Sequence, residues 1–277
     1  LPVESPVPSK MRYVDVLDTD MQFSTGAATK NARFRVNDNL PGTPDFCPLV
    51  RKTTFLGDMV GKDLRKRTRE TLGKYDQDLL RRAAAFLYLK ETQSSFEVER
   101  EKPSVNRAQR FADLLRQADT SQPLTEERLV ELQNAVVDPR FHEFSWRDQQ
   151  NWIGDDLGYR QKIEFVPARP EDVPALMQGL LDTAGKARIQ VASTARQADI
   201  DTVELQFDPV VYAAIIAFGF VFIHPFVDGN GRIHRYLIHE VLANAGFTPR
   251  GIVLPVSAVI LANLDEYVAV LESFSTP

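Results

Sequence analysis

Apolar positions recur at three- and four-residue intervals along most of this chain. From about Tyr75, the series Leu79, Leu80, Ala83, Phe86 and Leu87 predicts a helix with one core-facing side. It runs into the segment Glu91 to Glu99. Pro103-Ser104-Val105 opens a further helix to about Gln117, and Thr125 is placed to cap one starting at Glu126. Between Trp152 and Pro170 the helical period disappears. Tyr159 to Val166 alternates polar and apolar, which predicts a short strand or hairpin ended by Pro167. Helix returns at Asp172-Val173-Pro174, and again at Asp208-Pro209, a cap followed by proline at the first helical position. The fold class expected is mainly α, a helical bundle with one small β element.

The run Val210 to Ile223 is apolar throughout, yet its fourteen residues are too few to span a bilayer. A buried core helix is expected, with no membrane partner. Residues 1–50 hold six of the seventeen prolines and little periodicity, so they are expected to form an irregular arm. No signal peptide is expected at the N-terminus, where prolines replace an apolar stretch. The chain divides into this arm, an N-terminal helical region over 51–119 and a core over 120–277.

Composition changes the picture little. A net charge of −5 and the absence of a basic stripe give no sign of a nucleic-acid partner. The basic cluster Lys62 to Arg69 fits a solvated helix face. Cys47 is the single cysteine, so no intrachain disulfide can form, and a reducing, cytoplasmic location is expected. His239-Glu240 lacks the second histidine of a metalloprotease helix, Gly185-Lys186 lacks the glycine of a phosphate loop, and no cysteine–histidine spacing suggests zinc.

The informative stretch is His224 to Arg235, His-Pro-Phe-Val-Asp-Gly-Asn-Gly-Arg-Ile-His-Arg, between the apolar helix and an amphipathic helix that Gly246 ends. Gly229-Asn230-Gly231 lets backbone N–H groups approach an anion, and the helix start adds partial positive charge. Arg232 and Arg235, three apart, can aim two guanidinium groups at one region. Asp228 is a hard oxygen ligand suited to Mg²⁺. His224 can take a proton near neutral pH. Base, metal ligand, anion cradle and paired arginines together describe phosphoryl or nucleotidyl transfer.

This segment resembles the Fic motif, His-x-Phe-x-Asp/Glu-Gly-Asn-Gly-Arg-x-x-Arg, with every specified position filled. The resemblance extends over roughly residues 120–272: Arg147 to Gly154 is similar to the segment before the family's flap, Tyr159 to Val166 to the flap, and Ser257 and Tyr267 to its downstream helices. It implies an AMP transferase (an AMPylator) that moves AMP from ATP-Mg²⁺ onto a hydroxyl of a target protein. His224 would be the base and Asp228 the Mg²⁺ ligand. Gly229, Asn230 and Gly231 would hold the α- and β-phosphates, with Arg232 on the β-phosphate side and Arg235 on the γ-phosphate. Phe226 would anchor the loop. Lys162, Ile163, Glu164 and Phe165 would hold an extended target segment by strand addition. Asn263 and Tyr267 lie in the region expected to meet the adenine.

The family's inhibitory motif, Ser/Thr-x-x-x-Glu-Gly/Asn, is matched by Ser95 and Glu99, with Arg100 in place of Gly or Asn. The resemblance implies that Glu99 pairs with Arg235 and displaces the γ-phosphate, a brake often tied to self-association into a homo-oligomer. Alternatives remain: removal of AMP by a water that Glu99 positions, use of another nucleotide, or a non-catalytic peptide-binding module. Gly231 argues against the phosphorylating branch, which carries a basic residue there.

Overall fold

The computed structural model describes residues 11–25, 28–118, 122–156, 158, 161–197, 208–249 and 251–273, with the backbone alone at 155, 156, 161, 162, 164 and 187–197. Ten helices follow one another among these residues, with two small sheets. In the arm, β1 (Val14–Asp15) pairs parallel with β3 (Val36–Asp38), which pairs antiparallel with β2 (Thr29–Asn31). This sheet stands where the sequence predicts irregular chain, because two- and three-residue strands carry no readable alternation. The arm returns to the body: Phe46 packs against the main core, and Lys186 Nζ donates to Gly42 O at 3.0 Å.

Helices α1 (Thr54–Val60) and α2 (Leu64–Leu72) are capped by Thr53 and Asp63. The basic cluster on α2 is more than a wet face. Arg65 Nε and Arg69 Nη2 both donate to Gly246 O at 3.2 Å, where cations also suit the carboxyl end of a helix. Helix α3 (Gln77–Val98) is longer than the periodic segment and carries Ser95 in its last turn, with Glu99 as its C-cap. Ser104 caps α4 (Val105–Arg116), and Thr125 caps α5 (Glu126–Val136) as its position predicts.

The second sheet is the expected hairpin. β4 (Ile153–Asp156) pairs antiparallel with β5 (Gln161–Phe165), and the register shifts between Ile153 and Gly154. Tyr159 and Arg160 lie outside the described residues. Next comes α6 (Val173–Gln197), then α7 (Pro209–Ile223), for which Asp208 Oδ1 accepts from the N–H groups of Val210 and Val211. α8 (Asn230–Asn244), α9 (Val256–Ala262) and α10 (Leu264–Ser273) complete the chain.

Helix α7 is apolar nearly all round because it lies at the centre, with Ile216, Ala217 and Phe220 fully buried. It packs along α8, which contributes Ile233 and Leu237, while α5 adds Leu129 and α6 adds Met177 and Leu180. Among the described residues no helix is long and apolar enough to cross a membrane. The consequence for function is that the α7–α8 turn is held on both sides by helices packed in the main core.

Candidate functional site

His224 ends α7 in the left-handed conformation, φ 56° and ψ 61°. A side chain with a Cβ pays about 1 kcal/mol or more for that geometry, so its surroundings must hold it. Arg147 does so: its Nε donates to His224 O at 2.7 Å, its backbone N–H to Pro225 O at 2.9 Å, and its Nη1 to Gln149 O at 2.9 Å. Its Nη2 donates to Ala168 O, tying the turn to the chain beyond the flap. Burial lowers the Arg147 pKa, and the Glu143 charge offsets part of that.

The His224 ring faces Val221 O through Nδ1 at 3.2 Å. A carbonyl only accepts, so the proton sits on Nδ1 and Nε2 carries the lone pair. Burial depresses the pKa to about 4; the Val221 carbonyl and Asp228 oppose the shift and Arg147 adds to it. At neutral pH the ring is therefore the uncharged form that can accept a proton.

Phe226 is fully buried among Trp146 and Phe220, with ring centroids at 5.3 and 6.3 Å. Asn230 clasps it: Phe226 N donates to Asn230 Oδ1 at 3.0 Å and Asn230 Nδ2 donates to Phe226 O at 2.7 Å. The loop thus closes on itself across four residues. Asn230 spends its amide on the loop, which leaves its backbone to face the cradle. Gly229, at φ 91°, lies against Val137, whose Cγ1 would stand 2.8 Å from an added Cβ. The first helical bond of α8 is Ile233 N to Gly229 O, so the N–H groups of Asn230, Gly231 and Arg232 precede the helical ladder.

Two buried arginines rise from this helix start, each 1% exposed. Glu99 bridges them, with Oε1 2.8 Å from Arg235 Nη2 and Oε2 2.8 Å from Arg232 Nε. Arg235 also donates from Nε to Ser95 Oγ at 2.9 Å and from Nη2 to Ser95 O at 2.6 Å. A Cβ on Gly231 would stand 2.4 Å from Glu99 Oε1. A carboxylate therefore lies directly on the glycine of the cradle, the place a helix N-terminus offers to an anion. The sequence reading joined Glu99 to Arg235 alone; the structure joins it to both.

Asp228 Oδ1 accepts from Gly229 N at 2.6 Å and from Arg232 Nη2 at 2.8 Å. Its side chain is partly exposed. Among the described residues no three His, Cys, Asp or Glu converge on a metal site. One carboxylate suits a Mg²⁺ that takes its other ligands from phosphates and water.

Several participants have no linear signal. Glu143 Oε1 accepts from Val227 N at 2.8 Å, and burial raises its pKa against the pull of the Val227 and Asp228 backbone. Gln133 Nε2 donates to Asp228 O at 3.3 Å. Glu101 and Arg107 join the Arg232 side of the site. On the flap, Ile163 is exposed and Phe165 lies against Phe222 at 5.3 Å; Lys162 and Glu164 have side chains outside the described set. Asn263 Nδ2 turns to Val259 O at 2.8 Å. Tyr267 contacts His234 Nδ1 at 3.3 Å, and burial raises its pKa.

Residues 123–242 match the Fic/DOC family model. The chain is 33% identical to Protein adenylyltransferase fic-1 of Caenorhabditis elegans over 92 residues, 33% of this chain and 15% of that protein. Protein adenylyltransferase Fic of Drosophila grimshawi is 36% identical over 84 residues, 30% of this chain and 14% of the relative. The chain thus spans about 15% of the length of these curated relatives. The fold is similar to that of a Fic domain containing signaling protein from Bacteroides thetaiotaomicron, with a TM-score of 0.53 at 21% identity over 75% of this chain and 80% of that one. A Fic family protein from Desulfovibrio desulfuricans gives a TM-score of 0.50 at 21% identity, over 77% and 66% of the two chains.

Proposed function

We propose that the chain transfers the AMP of ATP to a hydroxyl of a target protein, restrained by its own Glu99, a reading supported by the match of residues 123–242 to the Fic/DOC family model. The observation that carries this reading is the Glu99 carboxylate seated between Arg232 and Arg235 on the Gly231 backbone. An anion site built from two buried cations and a helix start is already filled by an internal anion. In the active state a phosphate takes that place.

Each residue then has a task. His224 Nε2 removes the proton from the incoming hydroxyl, whose oxygen bonds to the α-phosphorus as the bond to the β-phosphate bridging oxygen breaks. Pyrophosphate leaves. Arg232, Arg235 and the N–H groups of the α8 start bind the phosphates, and the two cations stabilise the charge that grows on the leaving group. Asp228 would hold the Mg²⁺, which supplies further neutralisation of phosphate charge when bound. Asn230, Phe226 and Arg147 keep base and cradle in fixed relation. The flap edge at β5 receives an extended target segment by backbone pairing, next to the exposed Ile163.

Glu99 acts as the brake through geometry and charge. While it holds both arginines, the γ-phosphate meets a carboxylate in place of a cation, and the triphosphate sits out of line for attack. Such misplacement lowers rate on the order of 10²-fold. Residues 120–277 make the catalytic core and 51–119 the region that supplies the brake. The test is transfer of label from α-labelled ATP in the parent and in Glu99→Gly. Equal labelling in the two would remove the brake from the account.

A further inference from the structure

Arg232 is touched by three carboxylates, and they do not stand in equivalent positions. Glu99 faces Nε at 2.8 Å and Asp228 faces Nη2 at 2.8 Å. Glu101 Oε2 takes the remaining corner, Nη1, at 2.6 Å. Glu101 has a second cation of its own. Arg107 Nη1 lies 2.5 Å from its Oε1. Arg107 Nη2 and Arg232 Nη1 also donate to one carbonyl, Val136 O, at 2.8 and 3.0 Å. Both guanidinium groups lie 5.3 Å from the ring centre of Phe96, which is fully buried and meets Phe111 edge-on.

These contacts give the two acids opposite consequences. Glu99 spends its charge on the two arginines of the cradle and so cancels the field that a phosphate needs. Glu101 shares its charge with Arg107, a cation outside the cradle. Arg107 and Glu101 together are a nearly neutral strut that fixes one corner of Arg232, while Nη2 donates to Asp228 and Nε lies beside Glu99.

Resting on the nucleotide site proposed above, we propose that Glu101 is a positioning residue for ATP. When Glu99 withdraws, Glu101 keeps the Arg232 fork aimed at the phosphates. Without it, the Nη1 corner of Arg232 keeps only the neutral Val136 carbonyl, the guanidinium can shift toward Asp228, and the fork is held less rigidly for a phosphate. The strut is assembled from α4, the α3–α4 turn and the end of α5, so the region that carries the brake also tunes the working site.

The test is titration of ATP with Mg²⁺ into Glu99→Gly and into the same chain carrying Glu101→Gln, Arg232→Ala, or both. Glu101→Gln keeps the shape and removes the charge. It is expected to weaken ATP on the order of tenfold, the scale of one charged hydrogen bond. Arg232→Ala is expected to weaken ATP at least as much, and the double variant no more than Arg232→Ala alone, since Glu101 acts through Arg232. Glu101→Asp, which keeps the charge, recovers part of the affinity. An unchanged affinity in Glu101→Gln overturns the proposal, and so do additive losses in the double variant. Tighter ATP in Glu101→Gln would make Glu101 a second brake and overturn it as well. If Arg232→Ala leaves ATP affinity intact, the nucleotide site itself fails, and Glu101 has nothing to position.

Discussion

Replacing Glu99 by glutamine should weaken the empty protein and strengthen the loaded one. The change keeps the side-chain volume and removes one charge from two contacts of 2.8 Å. Deleting one member of a buried ion pair costs about 3–5 kcal/mol when the other charge is stranded. Here Arg232 keeps the carboxylates of Asp228 and Glu101, and Arg235, which loses its counter-charge, keeps hydrogen bonds to both oxygens of Ser95. Glu99 is also 27% exposed, so solvent screens it in part. The loss should fall to about 2 kcal/mol, or about 6 °C in Tm for a chain of this size. Mg²⁺-ATP reverses the order. Ligand at one hundred times its Kd adds about 2.7 kcal/mol, and the variant reaches that ratio at lower ATP because no carboxylate competes for the cradle. Thermal unfolding of parent and Glu99→Gln, with and without millimolar Mg²⁺-ATP, measures both effects. A variant that matches the parent when empty, or gains no more than the parent from ATP, would refute the claim that Glu99 occupies a phosphate position.

Three further perturbations reach other parts of the site. Burial lowers the pKa of His224 to about 4 and that of His234 to about 3, each below the ordinary 6.5. The folded state then binds fewer protons than the unfolded chain, so stability is full above pH 6.5 and is lost as pH falls toward those values. At pH 5 each ring costs about 2 kcal/mol; urea midpoints should fall between pH 7 and pH 5, and the fall should be shallower in His234→Asn. Asn230→Ala removes two hydrogen bonds and leaves the buried Phe226 N–H unpaired, while the Phe226 carbonyl keeps Asn151 Nδ2 at 3.2 Å; about 2 kcal/mol of stability should disappear, seen as a lower denaturant midpoint. Arg147→Lys keeps the charge but loses the fork that spans the His224, Gln149 and Ala168 carbonyls. Transfer in the Glu99→Gly background should drop more than tenfold with ATP affinity unchanged, as titration and labelling together would show.

Much of this site is contiguous in sequence, which is why it could be read. His224 to Arg235 lies on one turn and one helix, and backbone geometry alone brings its groups together. The capping residues Thr125 and Asp208 are legible for the same reason, since a cap acts on N–H groups two or three residues away. The arm's sheet was not, because its strands are shorter than any period. Glu143 and Glu101 were not either. They reach Val227 and Arg232 across 84 and 131 residues, and a lone acid on a turn has no pattern to mark it. Asn230 is an intermediate case: its position was singled out, but the clasp its amide makes on Phe226 becomes visible only in three dimensions. The resemblance to the inhibitory motif implies one arginine for Glu99, and the carboxylate lies against two, because a motif names the acid without counting its partners.

The central claim is AMP transfer by His224 under restraint by Glu99, and one experiment addresses it most directly. α-Labelled ATP and Mg²⁺ are supplied to the parent, to Glu99→Gly and to Glu99→Gly with His224→Ala. The account predicts little label on protein in the parent, strong label in the single variant and none in the double. Label that persists without His224 would contradict the assignment of the base. No label in Glu99→Gly, with ATP still bound, would contradict AMP transfer itself.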